Sequence, residues 1–336
     1  MEFGVSLIGG EATDGRRPLG SAMGDDVSMT EATNSGNGKV ALLANPAAHS
    51  GTATRNLDKV RDLLRERCIT VELLAADSTA ESIRAVAGST AGRVLVMGGD
   101  GTIHLAASVL ADTDRVLGIL PSGTGDDAAR ALGLADRDLA LQIDRALSEP
   151  VPVNLITGAE RPVVTSLISG FPVAVNSRAN AMRFPRGASR YTIATLLEIP
   201  RMVAATYRLT LDGEATELTA AVVVVANTAW FGGGMEICPG ADPTDGLMDI
   251  CVVGDVSRIE LLQSFRMVDS GAHVNHPGVS MFRAAEVSLE LLEDPGGTGA
   301  ARDLRADGEA MGAIPPGGHT TVRADQSWLL VAGAST

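Results

Sequence analysis

The chain has 336 residues, 45% of them hydrophobic, so it can bury a full core, and its length fits two domains better than one or three. Aromatic residues make up only 3%, which leaves the packing to aliphatic helices and strands. With 41 Asp and Glu against 27 Lys and Arg the net charge is −14, which argues against nucleic-acid binding over a broad surface and against a global attraction to anionic lipid.

The three cysteines, Cys68, Cys238 and Cys251, are odd in number and widely spaced, with no CxxC. That pattern opposes a disulfide framework or a zinc site and fits a reducing cytoplasm. Residues 1–38 are rich in Gly, Ser, Thr, Asp and Glu and show no periodicity, so a disordered leader is expected there. They lack the basic start and apolar stretch of a signal peptide. No apolar run approaches the length needed to span a bilayer, so any membrane contact is expected to be peripheral.

From Lys39 to about Glu149 strands alternate with helices. VALLA (Val40–Ala44) reads as a strand. After NPAAHSG comes a helical stretch with Leu57, Val60, Leu63, Leu64 and Cys68 on one face. Thr70–Ala75 reads as a strand and Thr79–Ala87 as a helix. Val94–Met97 is the third strand, followed by a helix over Ile103–Leu110. Val116–Leu120 is the fourth, and PSGTGDDAARALGL leads into another helix. This alternation implies a parallel sheet with helices on its faces, an α/β nucleotide-binding domain over 39–150. Ligands of such sheets gather at the carboxyl ends of the strands. NPAAHSG, GGDGT and PSGTGDD all lie at those ends, so the three loops are expected to converge.

From about Val151 strand-like runs dominate: VVTSLIS, YRLTLDG, LTAAVVVVAN, LMDICVV, EVSLELL and WLLVAG. Turn signals separate them, and one helical stretch, Tyr191–Ala205, interrupts them. A mainly antiparallel second domain over 151–332 is expected, with the last strand returning to the first domain. An edge strand of that domain offers a route to a homodimer. No internal repeat has a fixed period.

GGDGT (Gly98–Thr102) puts glycines at a strand end, where backbone N–H groups can turn toward a phosphate. The helix that follows adds its positive end. The Asp100 carboxylate would repel a bare phosphate, and it makes sense if a divalent cation or a hydroxyl proton lies between them. A tight turn in which Asp100 only caps the next helix uses the same residues. In PSGTGDD, Gly123-x-Gly125-x-x-Ala128 fits the dinucleotide pattern loosely. The loop follows the fourth strand, and no strand ends in an acid about 20 residues later. A phosphate loop using the Thr124 hydroxyl and nearby N–H groups, such as that of Gly123, is the better reading. No GxxxxGK[ST] occurs. In NPAAHSG, Pro46 holds Asn45 extended and Gly51 lets the chain turn. The Asn45 side chain and Ser50 hydroxyl are candidate nucleotide contacts, or parts of an ordinary βα loop.

These blocks, in this order and spacing, resemble the catalytic domain of the diacylglycerol kinase family, which includes bacterial diacylglycerol kinases and sphingosine kinases and shares its fold with NAD kinases. NTAWFGGGMEICPGADPTDGLMDI (Asn227–Ile250) is similar to the family's GGG and DGxxD block, and ADGEAMGAIPP (Ala306–Pro316) to its DGE block. The resemblance covers roughly Lys39–Ala332. It implies an α/β domain followed by an antiparallel β-sandwich-like domain, with ATP and Mg2+ as cofactors. It places Asn45, Ser50 and Gly51 at the nucleotide, Gly98, Gly99, Asp100, Gly101 and Thr102 around the phosphates, and Thr124 also on the nucleotide. Asp100 would face the reacting centre or its magnesium, and Glu309 would be the general base. Asp242, Asp245 and the Leu247 carbonyl would form a structural magnesium site. One departure is Asp126, where the family usually has Asn.

The chemistry agrees with that resemblance. An alcohol loses a proton as it attacks the γ-phosphorus, and a carboxylate within reach can take it. The rest is positioning and charge neutralisation. Phosphoryl transfer from ATP to diacylglycerol, giving phosphatidic acid, is the leading expectation. Alternatives are another lipid alcohol such as a sphingoid base, NAD as acceptor, or a non-catalytic nucleotide- or lipid-binding module. A dinucleotide oxidoreductase is opposed by the missing ribose-binding acid. Between Glu160 and Glu198 there is no acid, yet Arg161, Arg178, Arg183, Arg186 and Arg190 occur, interleaved with Met182, Phe184 and Tyr191. Either Arg178–Leu197 lies on an anionic leaflet at the inner face of the membrane, each Arg worth about 1 kcal/mol there, or these arginines pair with acids of the protein.

Overall fold

The computed structural model describes residues 39–44, 51–123, 125–184, 188–297 and 299–335. The expected leader, together with Asn45, Ser50, Thr124 and Arg186, lies outside the described residues.

The first half alternates as its sequence implies. β1 (Lys39–Ala44) leads to α1 (Gly51–Glu66), β2 (Thr70–Leu74), α2 (Thr79–Gly88), β3 (Arg93–Gly98), α3 (Asp100–Leu110) and β4 (Val116–Pro121). The short α4 (Asp127–Ala131) and α5 (Leu139–Leu147) precede β5 (Pro150–Asn154). Cys68 lies past the end of α1 in an exposed left-handed turn rather than on its apolar face. Strand residues divide by parity, since successive side chains point to opposite faces. Val40, Leu42, Leu95 and Met97 pack with Val60 and Leu64 of α1 and Ile143 of α5. Ala41, Leu43, Val94 and Val96 pack on the other side with Val86 of α2 and Ile103, Ala106 and Leu110 of α3. A sheet covered on both faces needs apolar residues at every position, which is why VALLA and VLVM show no alternation.

The second half begins with β6 (Ser166–Gly170), α6 (Phe171–Ala181), α7 (Ala188–Glu198), β7 (Ala205–Leu211), β8 (Glu214–Ala226), β9 (Trp230–Phe231) and β10 (Met235–Glu236). It continues with β11 (Met248–Gly254), α8 (Arg258–Val268), β12 (Val279–Ala284), β13 (Glu286–Glu293), β14 (Asp303–Ala306), β15 (Glu309–Ala313), β16 (His319–Arg323) and β17 (Trp328–Ala332). The expected helix over Tyr191–Ala205 is displaced. Its α-helical part ends at Glu198, a 3-10 turn carries Pro200, and Ala205 already opens β7. Pro200 has no N–H to extend the helix and restricts the residue before it. α6 and α8 are helices that the run of strand-like segments concealed.

The first sheet has strand order β2-β1-β3-β4-β17-β5, parallel except for β5, which pairs antiparallel with β17. It therefore takes in Pro150–Asn154 as well as the last strand. Asp112, at φ 57, ties that strand down by accepting from Ser327 Oγ at 2.9 Å and Trp328 N at 3.0 Å. The second sheet is antiparallel, in the order β15-β14-β6-β8-β7-β13-β16, with β11 joining β8 to β12. One face of β8 and β11, with Val223, Val225, Ile250 and Val252, meets Tyr207, Leu209, Val287 and Leu289. The other, with Val222, Val224, Cys251 and Val253, is covered by Phe171 and Val175 of α6 and Leu261 and Val268 of α8. Tyr207 is fully buried, its hydroxyl 3.2 Å from Ser169 Oγ and 3.1 Å from the Ala301 carbonyl, and burial pushes its pKa up to about 12. Among the described residues no helix is long and apolar enough to cross a membrane.

Candidate functional site

Reversal of strand order around β1 and β3 opens a crevice at the carboxyl ends of the parallel strands, where ligands of such sheets bind. Ala44 is in register with Met97, and Gly98 with Pro121, so the loops after β1, β3 and β4 start side by side. Gly51 opens α1 at the far end of the first loop.

The two described glycine loops approach backbone to backbone. A Cβ on Gly123 would lie 2.7 Å from the Gly99 Cα, and one on Gly98 would lie 2.6 Å from Thr102 Oγ1. Ser122 N donates to the Gly98 carbonyl at 3.0 Å. Glycine at 98, 99 and 123 is thus fixed by close approach. A Cβ on Gly101, by contrast, would meet nothing within 4 Å, so that glycine faces open space. Thr102 N and Ile103 N are turned back onto the Gly99 carbonyl at 2.9 and 3.2 Å.

Asp100 is the first residue of α3, yet it caps a different helix. Its Oδ1 accepts from Ala128 N of α4 at 3.0 Å, while Oδ2 lies beside Gly125, across from Gly233. Two further carboxylates crowd it. Asp126 stands at φ 51 and its Oδ1 accepts from Gly123 N at 2.9 Å. Asp127 is buried, and its Oδ2 accepts from Gly233 N at 2.6 Å, joining α4 to the second half of the chain. Burial pushes both carboxyls above the ordinary range. The charge of Asp100 adds to this, and the amide of Gly123 (for Asp126) and those of Gly233 and Gly234 (for Asp127) oppose it. The run Gly232–Gly234 makes this reach possible because all three residues have positive φ, at 64, 92 and 111°. Arg130 of α4 stacks over the Trp230 ring at 5.1 Å. Asp127, Arg130 and Trp230 were absent from the sequence-derived site, although Asp127 lay in the quoted loop.

Glu309 opens β15 just after the two-residue turn Asp307-Gly308, where both residues have positive φ, 49 and 84°. The pair is the Asp-Gly choice for a tight hairpin. Here the aspartate also points inward. Asp307 accepts from Val164 N at 3.1 Å, from Thr165 N at 3.0 Å and from the Thr165 hydroxyl. Its Oδ2 also contacts His104 Nδ1. His104 Nε2 faces the Pro162 carbonyl at 2.9 Å. Complete burial raises the Asp307 pKa against the opposing pull of His104 and these donors. His104 is one turn after Asp100 on α3, so this buried contact fastens the DGE turn beneath the GGDGT loop. Glu309 itself is exposed and pairs with Arg161 Nη2 at 2.6 Å.

The structure thus gathers Gly98–Thr102, Gly123, Asp126, Asp127, Gly233 and the DGE turn into one region. Asp242, Asp245 and Leu247 fall elsewhere, on a loop docked against the end of β5. Asn154 N donates to the Pro243 carbonyl at 2.6 Å, and Gly246 N to Asn154 Oδ1 at 3.0 Å. Asp242 Oδ1 is turned onto Thr244, accepting from its N at 2.9 Å and its hydroxyl at 2.6 Å. Asp245 Oδ1 accepts from Leu247 N at 2.9 Å, and Oδ2 meets Nη2 of Arg283, whose Nε lies 3.3 Å from Asp249 Oδ1. Among the described residues no group of three or more His, Cys, Asp or Glu is disposed to hold a metal ion. A resident magnesium, which needs near-octahedral oxygen ligands, does not fit this arrangement, because the Arg283 guanidinium stands against Asp245 and the Thr244 N–H and hydroxyl hold Asp242 Oδ1.

Two outcomes are expected. His104→Ala strands the buried Asp307 carboxylate and should cost about 3 kcal/mol or more in denaturant unfolding, with part recovered in His104→Ala/Asp307→Asn. A carboxyl whose folded pKa exceeds its unfolded value, about 3.9, opposes folding while ionised, so stability rises as pH falls through that window. Asp126→Asn keeps the left-handed turn and removes that charge. Unfolding midpoints should therefore place Asp126→Asn above the unsubstituted chain near pH 8, with the gap closing as pH falls toward the unfolded value of about 3.9.

Comparison with known proteins places both halves of the chain in one family. The profile of the diacylglycerol kinase catalytic domain matches residues 39–157, and that of the YegS C-terminal NAD kinase beta sandwich-like domain matches residues 165–324. The chain is 38% identical over 265 residues to a diacylglycerol kinase of Mycobacterium tuberculosis, covering 75% of this chain and 85% of the relative. It is 24% identical over 235 residues to a diacylglycerol kinase of Bacillus subtilis, covering 66% of this chain and 72% of the relative. A crystal structure of a diacylglycerol kinase from Bacillus anthracis superposes with a TM-score of 0.61 at 19% identity, covering 88% of this chain and 94% of that one, and so shares the fold. Both halves are matched, and the M. tuberculosis relative is 38% identical across most of its length: the chain belongs to the diacylglycerol kinase family of lipid kinases and is a phosphotransferase.

Proposed function

We propose that the chain transfers the γ-phosphoryl group of ATP to the free hydroxyl of diacylglycerol, giving phosphatidic acid for phospholipid metabolism. The observation that carries this reading is the Asp307–His104 contact, which sets the DGE turn under the glycine loop that starts α3. Gly98–Thr102 and Gly123, with Asn45, Ser50, Gly51 and Thr124 from the adjoining loops, surround the nucleotide phosphates, and the Gly123 N–H must leave Asp126 to reach them. Magnesium accompanying ATP neutralises phosphate charge. The lipid oxygen forms a bond to the γ-phosphorus, the bond from that phosphorus to the β–γ bridging oxygen breaks, and ADP leaves. Glu309 takes the hydroxyl proton after giving up its partner Arg161. Asp100, with one oxygen fixed on Ala128, presents the other toward the reacting groups.

An apolar cleft beside the Gly232–Gly234 run is the proposed seat of an acyl chain. As folded it encloses only about 30 Å3, so entry of the chain must part its walls, which include Val222, Phe231, Met235, Ile237, Phe265 and Val268. Phe231 immediately precedes the glycines that reach Asp127, so a chain lodged there ends near the phosphate loops.

The route from the membrane is proposed to run over Arg178–Leu197, extended to Arg201 and Val203, at the inner leaflet. Phe184 is 84% exposed, Leu196 55% and Val203 52%, and Tyr191, Ile193 and Leu197 are exposed beside them. The basic complement is smaller than the sequence implies. Arg161 is taken by Glu309 and Arg178 by Glu198, while Arg183 and Arg201 form no ion pair among the described residues. An apolar helix face with flanking arginines is the composition of an interfacial anchor.

Labelled ATP offered with a panel of lipid alcohols tests the activity. Diacylglycerol should be labelled, and Glu309→Gln and Asp100→Asn should each lose about 100-fold or more in kcat. Full activity in Glu309→Gln would remove it as the base, and labelling of a sphingoid base alone would change the acceptor. For the docking face, Phe184→Ser/Leu196→Ser and Arg183→Ser/Arg201→Ser should each weaken co-sedimentation with phosphatidylglycerol-containing vesicles by about tenfold. Undiminished sedimentation would reject the face.

A further inference from the structure

We infer that Arg283 is the resident cation of the junction between the two halves of the chain, standing where the family resemblance puts a structural magnesium. Its position follows from sheet register. Arg283 in β12 lies directly opposite Asp249 of β11 in an antiparallel pair, a geometry that brings facing side chains together. From there its planar fork spans two carboxylates, Nη2 on Asp245 and Nε on Asp249 at 3.3 Å. A guanidinium suits such a span because its donors are fixed in one plane.

The clamp fixes more than itself. Asp245 and Asp249 bracket Gly246, whose N–H donates to Asn154 Oδ1 at 3.0 Å. Asn154 N in turn donates to the Pro243 carbonyl, and its own carbonyl accepts from Asn227 Nδ2 at 2.8 Å. Asn227 Nδ2 also donates to the Val164 carbonyl at 2.9 Å, and Val164 N is one of the donors to Asp307. Asn154 ends β5, where the chain leaves the first sheet. One cation therefore orders the loop that holds this exit, a task a divalent ion bridging Asp242, Asp245 and the Leu247 carbonyl would otherwise perform. Arg283 performs it without dissociating.

Thermal unfolding of the full chain, without ATP or lipid, tests this apart from any catalytic assignment. The midpoint of the unsubstituted chain should differ by less than about 1 °C between EDTA and millimolar MgCl2. Arg283→Met leaves Asp245 and Asp249 without their cation. Its midpoint in EDTA should fall by about 3–8 °C and recover most of that in millimolar magnesium or calcium. Should Arg283→Met fail to fold, Arg283→Lys, which keeps the charge and loses the fork, should be lowered yet indifferent to magnesium. A magnesium-dependent midpoint in the unsubstituted chain, or an Arg283→Met midpoint equal to it in EDTA, would overturn the inference.

Discussion

A carboxylate with no access to water must be surrounded by donors, and much of this site is arranged around one such group. Asp307 draws on the backbone of Val164 and Thr165, on a threonine hydroxyl and on His104 of α3. Those partners come from the stretch after β5 and from the nucleotide-side helix, and Asp307 itself sits on the hairpin that carries Glu309. Satisfying one buried charge thereby fixes three separate segments, and removing any donor leaves one carboxylate oxygen with a single partner where burial demands more. The requirement costs stability in isolation, which is why it tolerates only one relative placement of the two halves.

The opposite solution appears at the mouth of the crevice. There Asp100, Asp126 and Asp127 gather with few donors, one or two amides for each carboxyl. Burial and mutual repulsion act on them together, so the mouth is electrostatically unsaturated while its foundation is satisfied. That contrast is the expected form of a site that accepts positive charge arriving with a ligand. It also gives Asp126 a physical meaning, since an amide in the same left-handed turn would leave one negative charge fewer at the mouth.

Much of the architecture was legible in the residues. Unbroken apolar runs at VALLA and VLVM follow from a sheet buried on both faces, and glycine loops at strand ends carry their own local signal. DGE was readable as a turn, but the inward aim of Asp307 was not, because its partners lie far away in sequence. α6 was concealed by its own burial pattern. Phe171, Val173 and Val175 are all buried at a spacing of two, which reads as a strand. α8 did carry a signal, the capping box in which Ser257 and Glu260 bond each other's backbone. The basic segment misled in the other direction. Composition shows how many arginines are present, but not that Glu198 and Glu309 take two of them.

The placement of β17 between β4 and β5 has a consequence for how the molecule comes to exist. A nascent chain that has emerged only as far as Asn154 holds β4 and β5 but not the strand that separates them, so the first sheet stays split with two open edges. Its closure waits for Trp328–Ala332, after the entire second sheet has been made. Two halves that look separable in sequence are therefore obliged to mature together, through contacts of very long sequence separation. That is the kind of topology that folds slowly and exposes unpaired strands while it waits.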